Sequence, residues 1–273
     1  MKQVDISGAF SFAFQTLKKY PMLLLGPPIF FNFLSNLQNL FVKDMTLSTT
    51  DDFKSKVIEF FSNKFSPYSI AILFVLLLLI LTAAIIIGIS LEIGRIRIAI
   101  HAFNKSEEDL SWSVYNNFGT GIIGRYFLTS LLLALLVIIG FVFLIIPGII
   151  LALMFQFTLF VLVDKKVSIT DSIKISNKLT NGIKWQLFGY GLLIFFIAIL
   201  IMIPIALLEH FKLLYVYLPL NTIVTPIVSM YFAMAMLYIY KDISDQEENL
   251  DRLIAESDDP VPPLPVDMLM HKE

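Results

Sequence analysis

The chain alternates long apolar blocks with short polar intervals. Its charge-free blocks cover 21–42, 68–91, 126–146, 149–163, 186–208 and 219–240. A bilayer core about 30 Å thick is crossed by roughly 20 helical residues. Each block therefore reads as one spanning helix, six in all. The expected fold class is all-α, an integral membrane helical bundle.

Two of the blocks abut. From Tyr126 to Val163 there is no charged residue, and "FLIIPGIILAL" lies at 143–153. As one helix this run would be about 57 Å long at 1.5 Å per residue, too long for a bilayer. It must fold back as a hairpin. Pro147 removes a backbone donor and Gly148 takes turn dihedrals readily, so this pair is expected at the apex.

Three segments open alike, ahead of spans 1, 3 and 5: "DISGAFSF" from Asp5, "DLSWSVYN" from Asp109 and "SITDSIKI" from Ser168. Each starts with an N-cap residue, and about fifteen residues later a basic and an aromatic residue precede the span. They predict amphipathic in-plane helices over about 5–19, 109–123 and 168–184. In the third, Ile169, Ile173, Ile175, Leu179 and Ile183 share one arc, and Lys174, Lys178, Asn181 and Lys184 face away. Such a helix lies on an anionic leaflet with its lysines near the headgroups. Two roles stand open: anchoring the bundle, or forming a collar that senses or guides lipid.

Charge sets the orientation. With six spans, one side collects Lys2, Lys18, Lys19, Arg95, Arg97, Lys105, Arg125, Lys165, Lys166, Lys174, Lys178, Lys184 and Lys241. The other has Lys43, Lys54, Lys56, Lys64 and Lys212, balanced by nearby acids. The excess of positive charge predicts that both termini are cytoplasmic. The loop 43–67 would then lie outside, with Phe53, Val57, Phe60, Phe61 and Phe65 on an interfacial helix.

Composition agrees with the pattern: 57% hydrophobic and 15% charged. The net charge of −2 hides an asymmetry. From Asp242 to Glu273 there are ten acidic and two basic residues, and this segment contains "DDPVPPLP". It reads as a disordered cytoplasmic tail following a six-span domain over 1–241, with a short amphipathic helix at most around Leu250, Leu253 and Ile254. The chain has no cysteine, which excludes disulfides and thiol chemistry. "MKQVDISGAF" lacks the order of a signal peptide, so the first apolar block is expected to remain as an anchor.

The stretch "IPGIILALMFQFTLFVLVDKKVSITDSIKISNKLTNGIKWQLFG" resembles the signature of the YciC-type family of bacterial inner-membrane proteins. A related core occurs in the membrane domain of some glycerophosphodiester phosphodiesterases. The shared pattern is a Pro-Gly hairpin, an apolar arm ending in an acid, then a helix with Ser, Leu-Thr and Gly before an aromatic. Here those positions are Asp164, Ser176, Leu179, Thr180, Gly182 and Trp185. Ser172 stands where alanine is more usual. The resemblance covers about 45 residues and implies a multi-pass protein of the bacterial plasma membrane. It names no chemistry, and no phosphodiesterase domain accompanies it.

Candidate chemistry is sparse. His101, His210 and His271 are scattered without metal-ligand spacing, and neither an HExxH pattern nor a phosphate-binding glycine loop occurs. No cofactor or metal is implied. The spans contain no Asp, Glu, Lys, Arg or His, which speaks against ion-coupled pumping. Glu92 and Arg95, three residues apart at the end of the second span, read as a local surface pair. A polar face does stand out on the first span, where Asn32, Ser35, Asn36 and Asn39 follow helical spacing just after Pro27 and Pro28. Thr222, Thr225 and Ser229 on the last span, beside Pro226, could meet it. These groups are either helix–helix glue or the wall of a cavity for a lipid headgroup or small solute. The expected function is a non-enzymatic membrane protein supporting envelope or lipid homeostasis. Its expected partners are membrane lipids and an unidentified membrane protein, with no nucleic acid. The alternative is a transporter or flippase subunit with an Asn-lined cavity.

Overall fold

The computed structural model describes residues 3–45, 67–104, 110–117, 121–211 and 213–258. Among these there are helices and no strand. In chain order they are α1 (Ile6–Lys19), α2 (Pro21–Met45), α3 (Pro67–Phe103), a 3₁₀ turn (Trp112–Tyr115), α4 (Ile122–Phe143), α5 (Ile145–Phe155), α6 (Thr158–Asp164), α7 (Ile169–Thr180), α8 (Lys184–His210) and α9 (Leu214–Asp258). Five helical stretches are long and apolar enough to cross a membrane: Ala71–Phe103, Ile122–Phe143, Ile145–Asp164, Lys184–His210 and Tyr215–Arg252. The chain is a helical membrane protein. The expected first span, α2, carries Pro27 and Pro28 within the helix. The loop 46–66, with its expected interfacial helix, lies outside the described residues.

The well-packed core sits at one end of the bundle. Ala9, Ala13, Leu24, Ile93, Phe157, Leu162, Ile183, Leu187, Tyr240 and Ile243 are buried there, close in sequence to Lys18, Arg95, Arg125, Lys165, Lys184 and Lys241. The most apolar stretch of α3, by contrast, has no buried residue. Hydrocarbon gives helices no hydrophobic reason to associate, so apolar side chains there face lipid. Where water is available, burial of apolar surface drives packing.

The hairpin forms, but its turn is not at Pro147–Gly148. α4 ends at Phe143, Leu144 is extended (φ −164°, ψ 146°), and α5 begins at Ile145. The first backbone bond of the second arm runs from Gly148 N–H to Leu144 C=O at 3.2 Å. Pro147 thus lies in the first helical turn, where no backbone donor is needed. Gly148 serves the crossing: a Cβ on Gly140 would lie 3.0 Å from the Gly148 Cα. The two glycines, equidistant from Leu144, let the arms touch backbone to backbone. The second arm then breaks at Gln156–Phe157 and resumes as α6.

The three expected in-plane helices fare differently. α1 is capped by the Asp5 carboxylate, which accepts from Gly8 N–H at 2.8 Å, and it lays Ala9, Ala13 and Thr16 against the core. Among the described residues of 109–123, no α-helix precedes Ile122. Residues 112–115 make a 3₁₀ turn, Asn116 is extended, and Gly121 takes φ +66° before α4 starts. The reason is tertiary: Asn117, fully buried, donates to the Ser90 carbonyl of α3 at 3.2 Å as well as to the Tyr115 carbonyl at 3.1 Å. α7 forms as expected, but its most buried face is Ser172, Ser176, Leu179 and Thr180. Ile169, Ile173 and Ile175 are only half-buried. Three small hydroxyl residues four apart let α7 approach the hairpin arm closely.

The acidic segment does not begin as a disordered tail. α9 continues as helix to Asp258, so its 45 residues extend about 68 Å. The acids have partners distant in sequence. Lys165 pairs with Glu248 at 2.7 Å, and Lys178 with Asp251 and Glu247 at 2.8 and 3.1 Å. Residues 259–273, including the proline-rich stretch, lie outside the described residues.

Candidate functional site

Three polar constellations are built into this frame. The first joins α2 to α9. Asn32 Nδ2 donates to the Asn221 carbonyl at 3.0 Å, and Asn36 Nδ2 donates to Thr222 Oγ1 at 2.7 Å. Thr225 Oγ1 donates to Asn221 Oδ1 at 2.8 Å, and Asn221 Nδ2 reaches Asn36 Oδ1 at 3.4 Å. Thr222 Oγ1 passes the series on to the Leu218 carbonyl at 2.7 Å. Asn36, Asn221 and Thr222 each both donate and accept, which ties the two helices together. Ser229 stands apart, exposed, donating to Pro226 C=O of its own helix at 3.0 Å. The side chain of Asn39 lies outside the described residues. Asn221 was not singled out from the sequence, although its place one residue before Thr222 and four before Thr225 puts it on the same face. Beside the network is a cavity of about 450 Å³, otherwise walled by Ile29, Phe33, Leu218, Pro219 and Ile223.

The second constellation surrounds the two prolines inside α2. Pro27 and Pro28 have no N–H, so the Leu23 and Leu24 carbonyls lose their i+4 donors. The Tyr115 hydroxyl, from the 3₁₀ turn, donates to Leu23 C=O. Burial pushes the Tyr115 phenol up to about 12, against the pull of the Arg95 cation, and so keeps it a neutral donor. Ser90 Oγ in turn donates to the Tyr115 carbonyl at 2.5 Å. Glu92 and Arg95 on α3 form an ion pair. It is not the surface pair that its spacing suggests: the Arg95 side chain is only 20% exposed, and it lines a cavity of about 360 Å³ shared with Leu24, Pro27, Phe31, Gly88 and Met230.

The third constellation holds the residues of the family-like stretch. Asp164 accepts from Tyr240 Oη at 2.8 Å and pairs with Lys241 at 3.3 Å. Ser176 Oγ donates to the Met154 carbonyl at 2.7 Å, in the turn where the break at Gln156–Phe157 interrupts the helix. Thr180 Oγ1 donates back to Ser176 C=O at 3.0 Å, and Leu179 is buried. Gly182 takes φ +84°, a left-handed conformation that turns the chain from α7 into α8. These positions hold α7, the hairpin arm and α9 together. Trp185 differs: it is 85% exposed and sits with Lys184 and Phe188 at an apolar groove of about 420 Å³ beside Ile149 and Leu153. Lys178 binds the acidic end of α9, and its hydrogen bonds to Asp251 and then Glu247 raise its pKa.

Among the described residues, no three His, Asp or Glu side chains gather as a metal site. Comparison of the chain with protein-family profiles, curated proteins and solved structures gives no match.

Proposed function

We propose that this is a non-enzymatic, multi-pass protein of the bacterial plasma membrane that binds phospholipid and supports envelope or lipid homeostasis. The observation that carries this reading is the contrast between its amides and its cavities. Asn32 and Asn36 of α2 are engaged in bonds to α9, whereas the spaces beside α2, α3 and α5 are walled mainly by apolar side chains. Apolar walls suit acyl chains. A transport path for a polar solute would need those amides turned toward it. The YciC-type resemblance supports the same cellular setting.

Native mass spectrometry of the purified chain with its co-extracted lipids tests the reading. Wild-type protein retains phospholipid. The Asn32→Leu, Asn36→Leu, Asn39→Leu triple variant loses about 2 kcal/mol of thermal stability, at about 0.6 kcal/mol per interhelical bond, yet keeps the same lipid complement. A folded triple variant stripped of lipid would instead favour an Asn-lined binding cavity and a transporter or flippase.

The same proposal includes six spans, with α2 as the first and both termini cytoplasmic. The collection of Lys and Arg at the tightly packed end supports it. Single cysteines replacing Ser55 and Ser257 are expected to react with impermeant reagents from outside and inside, respectively. The opposite pattern would invert the topology.

A further inference from the structure

We infer that the cavity between α2, α3 and α9 is a headgroup site for a zwitterionic phospholipid of the ethanolamine type, an assignment that rests on the lipid-binding reading above. One end of this cavity is charged and the remainder is apolar. At the charged end Arg95 and Glu92 lie one helical turn apart on α3. Arg95 carries five N–H donors, and its described contacts are the Glu92 carboxylate and the Met230 sulfur at 3.5 Å. The guanidinium therefore has donors to spare for a phosphate, which it can take in bidentate fashion. Glu92 is about half exposed and offers a carboxylate beside it.

This pairing selects among headgroups. Phosphatidylglycerol would bring its phosphate to Arg95 but offers Glu92 only a neutral glycerol and no cation. A zwitterion satisfies both: phosphate on Arg95, ammonium on Glu92. A primary ammonium also donates hydrogen bonds, which a trimethylammonium cannot.

The apolar end has a route for the acyl chains. Ala84 and Gly88 line the cavity on an exposed stretch of α3, and a Cβ on Gly88 would meet nothing within 4 Å. The cavity thus opens sideways, past small residues, onto the lipid-facing side of the helix, with Phe31 of α2 opposite.

The test is native mass spectrometry of the full chain released from nanodiscs holding equal parts phosphatidylethanolamine, phosphatidylcholine and phosphatidylglycerol. Wild-type protein is expected to retain the ethanolamine lipid preferentially. Arg95→Gln lowers that retention about tenfold, the effect of one lost charge-assisted contact. Glu92→Gln keeps phospholipid but loses the preference for ethanolamine over choline. Gly88→Leu, whose side chain enters open space and leaves the fold intact, blocks the chain route and lowers retention without touching the charged pair. Equal retention of all three lipids by the wild type, or undiminished ethanolamine-lipid retention by both Arg95→Gln and Gly88→Leu, would overturn the assignment while leaving lipid binding in place. A wild-type protein that retains no phospholipid would sink the lipid-binding reading itself.

Discussion

Asp164→Ala is expected to lower stability by about 3–5 kcal/mol, the usual cost of removing one partner from a buried ion pair. Asp164 and Lys241 are only 14% and 13% exposed, so the lysine left behind has little access to water. The substitution also removes one partner of the hydroxyl of Tyr240, a fully buried residue packed against the rings of Phe157 and Phe160. Asp164→Asn is milder, because an amide oxygen still accepts from Tyr240. The mechanism has its own control. A buried pair contributes little over a neutral replacement of similar shape, so adding Lys241→Met to Asp164→Asn is expected to restore much of the loss. Thermal unfolding in a single detergent reads all four proteins. A double variant as unstable as Asp164→Ala would show that the uncompensated lysine is not the cause.

The second large effect is at the hairpin. Gly148→Leu is expected to prevent closure of the two arms, whereas Pro147→Ala is tolerated. A Cβ at position 148 would lie 2.6 Å from the Phe141 ring and 2.9 Å from the Phe141 backbone nitrogen. A ring can rotate away, but a backbone atom of the facing helix cannot. Overpacking of this kind costs about 1–3 kcal/mol for a small excess, and leucine adds three further carbons. Pro147 occupies a position where the N–H would be unpaired in any case, so alanine there removes nothing the helix uses. Protease accessibility and detergent resistance of the inserted protein separate the two variants. Wild-type behaviour of Gly148→Leu together with failure of Pro147→Ala would restore the proline as the cause of the turn.

That contrast marks how far the sequence could be read. Composition and block length located the apolar helices and required a reversal between Tyr126 and Val163, because no bilayer takes a helix of that length. The residue at which the chain reverses was not legible. Leu144 has no turn propensity; it is extended because Gly140 and Gly148 bring the arms together around it. Helical spacing found Asn32 and Asn36, yet looking for hydroxyl partners passed over Asn221, which bridges both. The 3₁₀ turn at Trp112–Tyr115 was hidden because its determinants are long-range, with Asn117 bonded to Ser90 and Tyr115 to Leu23. The acids beyond Lys241 resembled a disordered tail for the same reason. Their partners Lys165 and Lys178 lie some seventy to eighty residues earlier, and no local window holds both.

The packing of α1 on α9 bears on how the protein is made. Tyr231 reaches the Phe10 carbonyl at 3.1 Å across a separation of 221 residues, and the rings of Phe10 and Tyr231 stack. At a translation rate of about 5–20 residues per second, α1 waits roughly 10–45 s for its partner to leave the ribosome. Throughout that interval the spans can insert one by one, since their apolar faces need only lipid. The Ala9–Ala13 face has no such refuge. Final assembly therefore waits for α9 to emerge, and chains arrested before Tyr231 will display an unpaired α1 to the proteases that patrol the membrane surface.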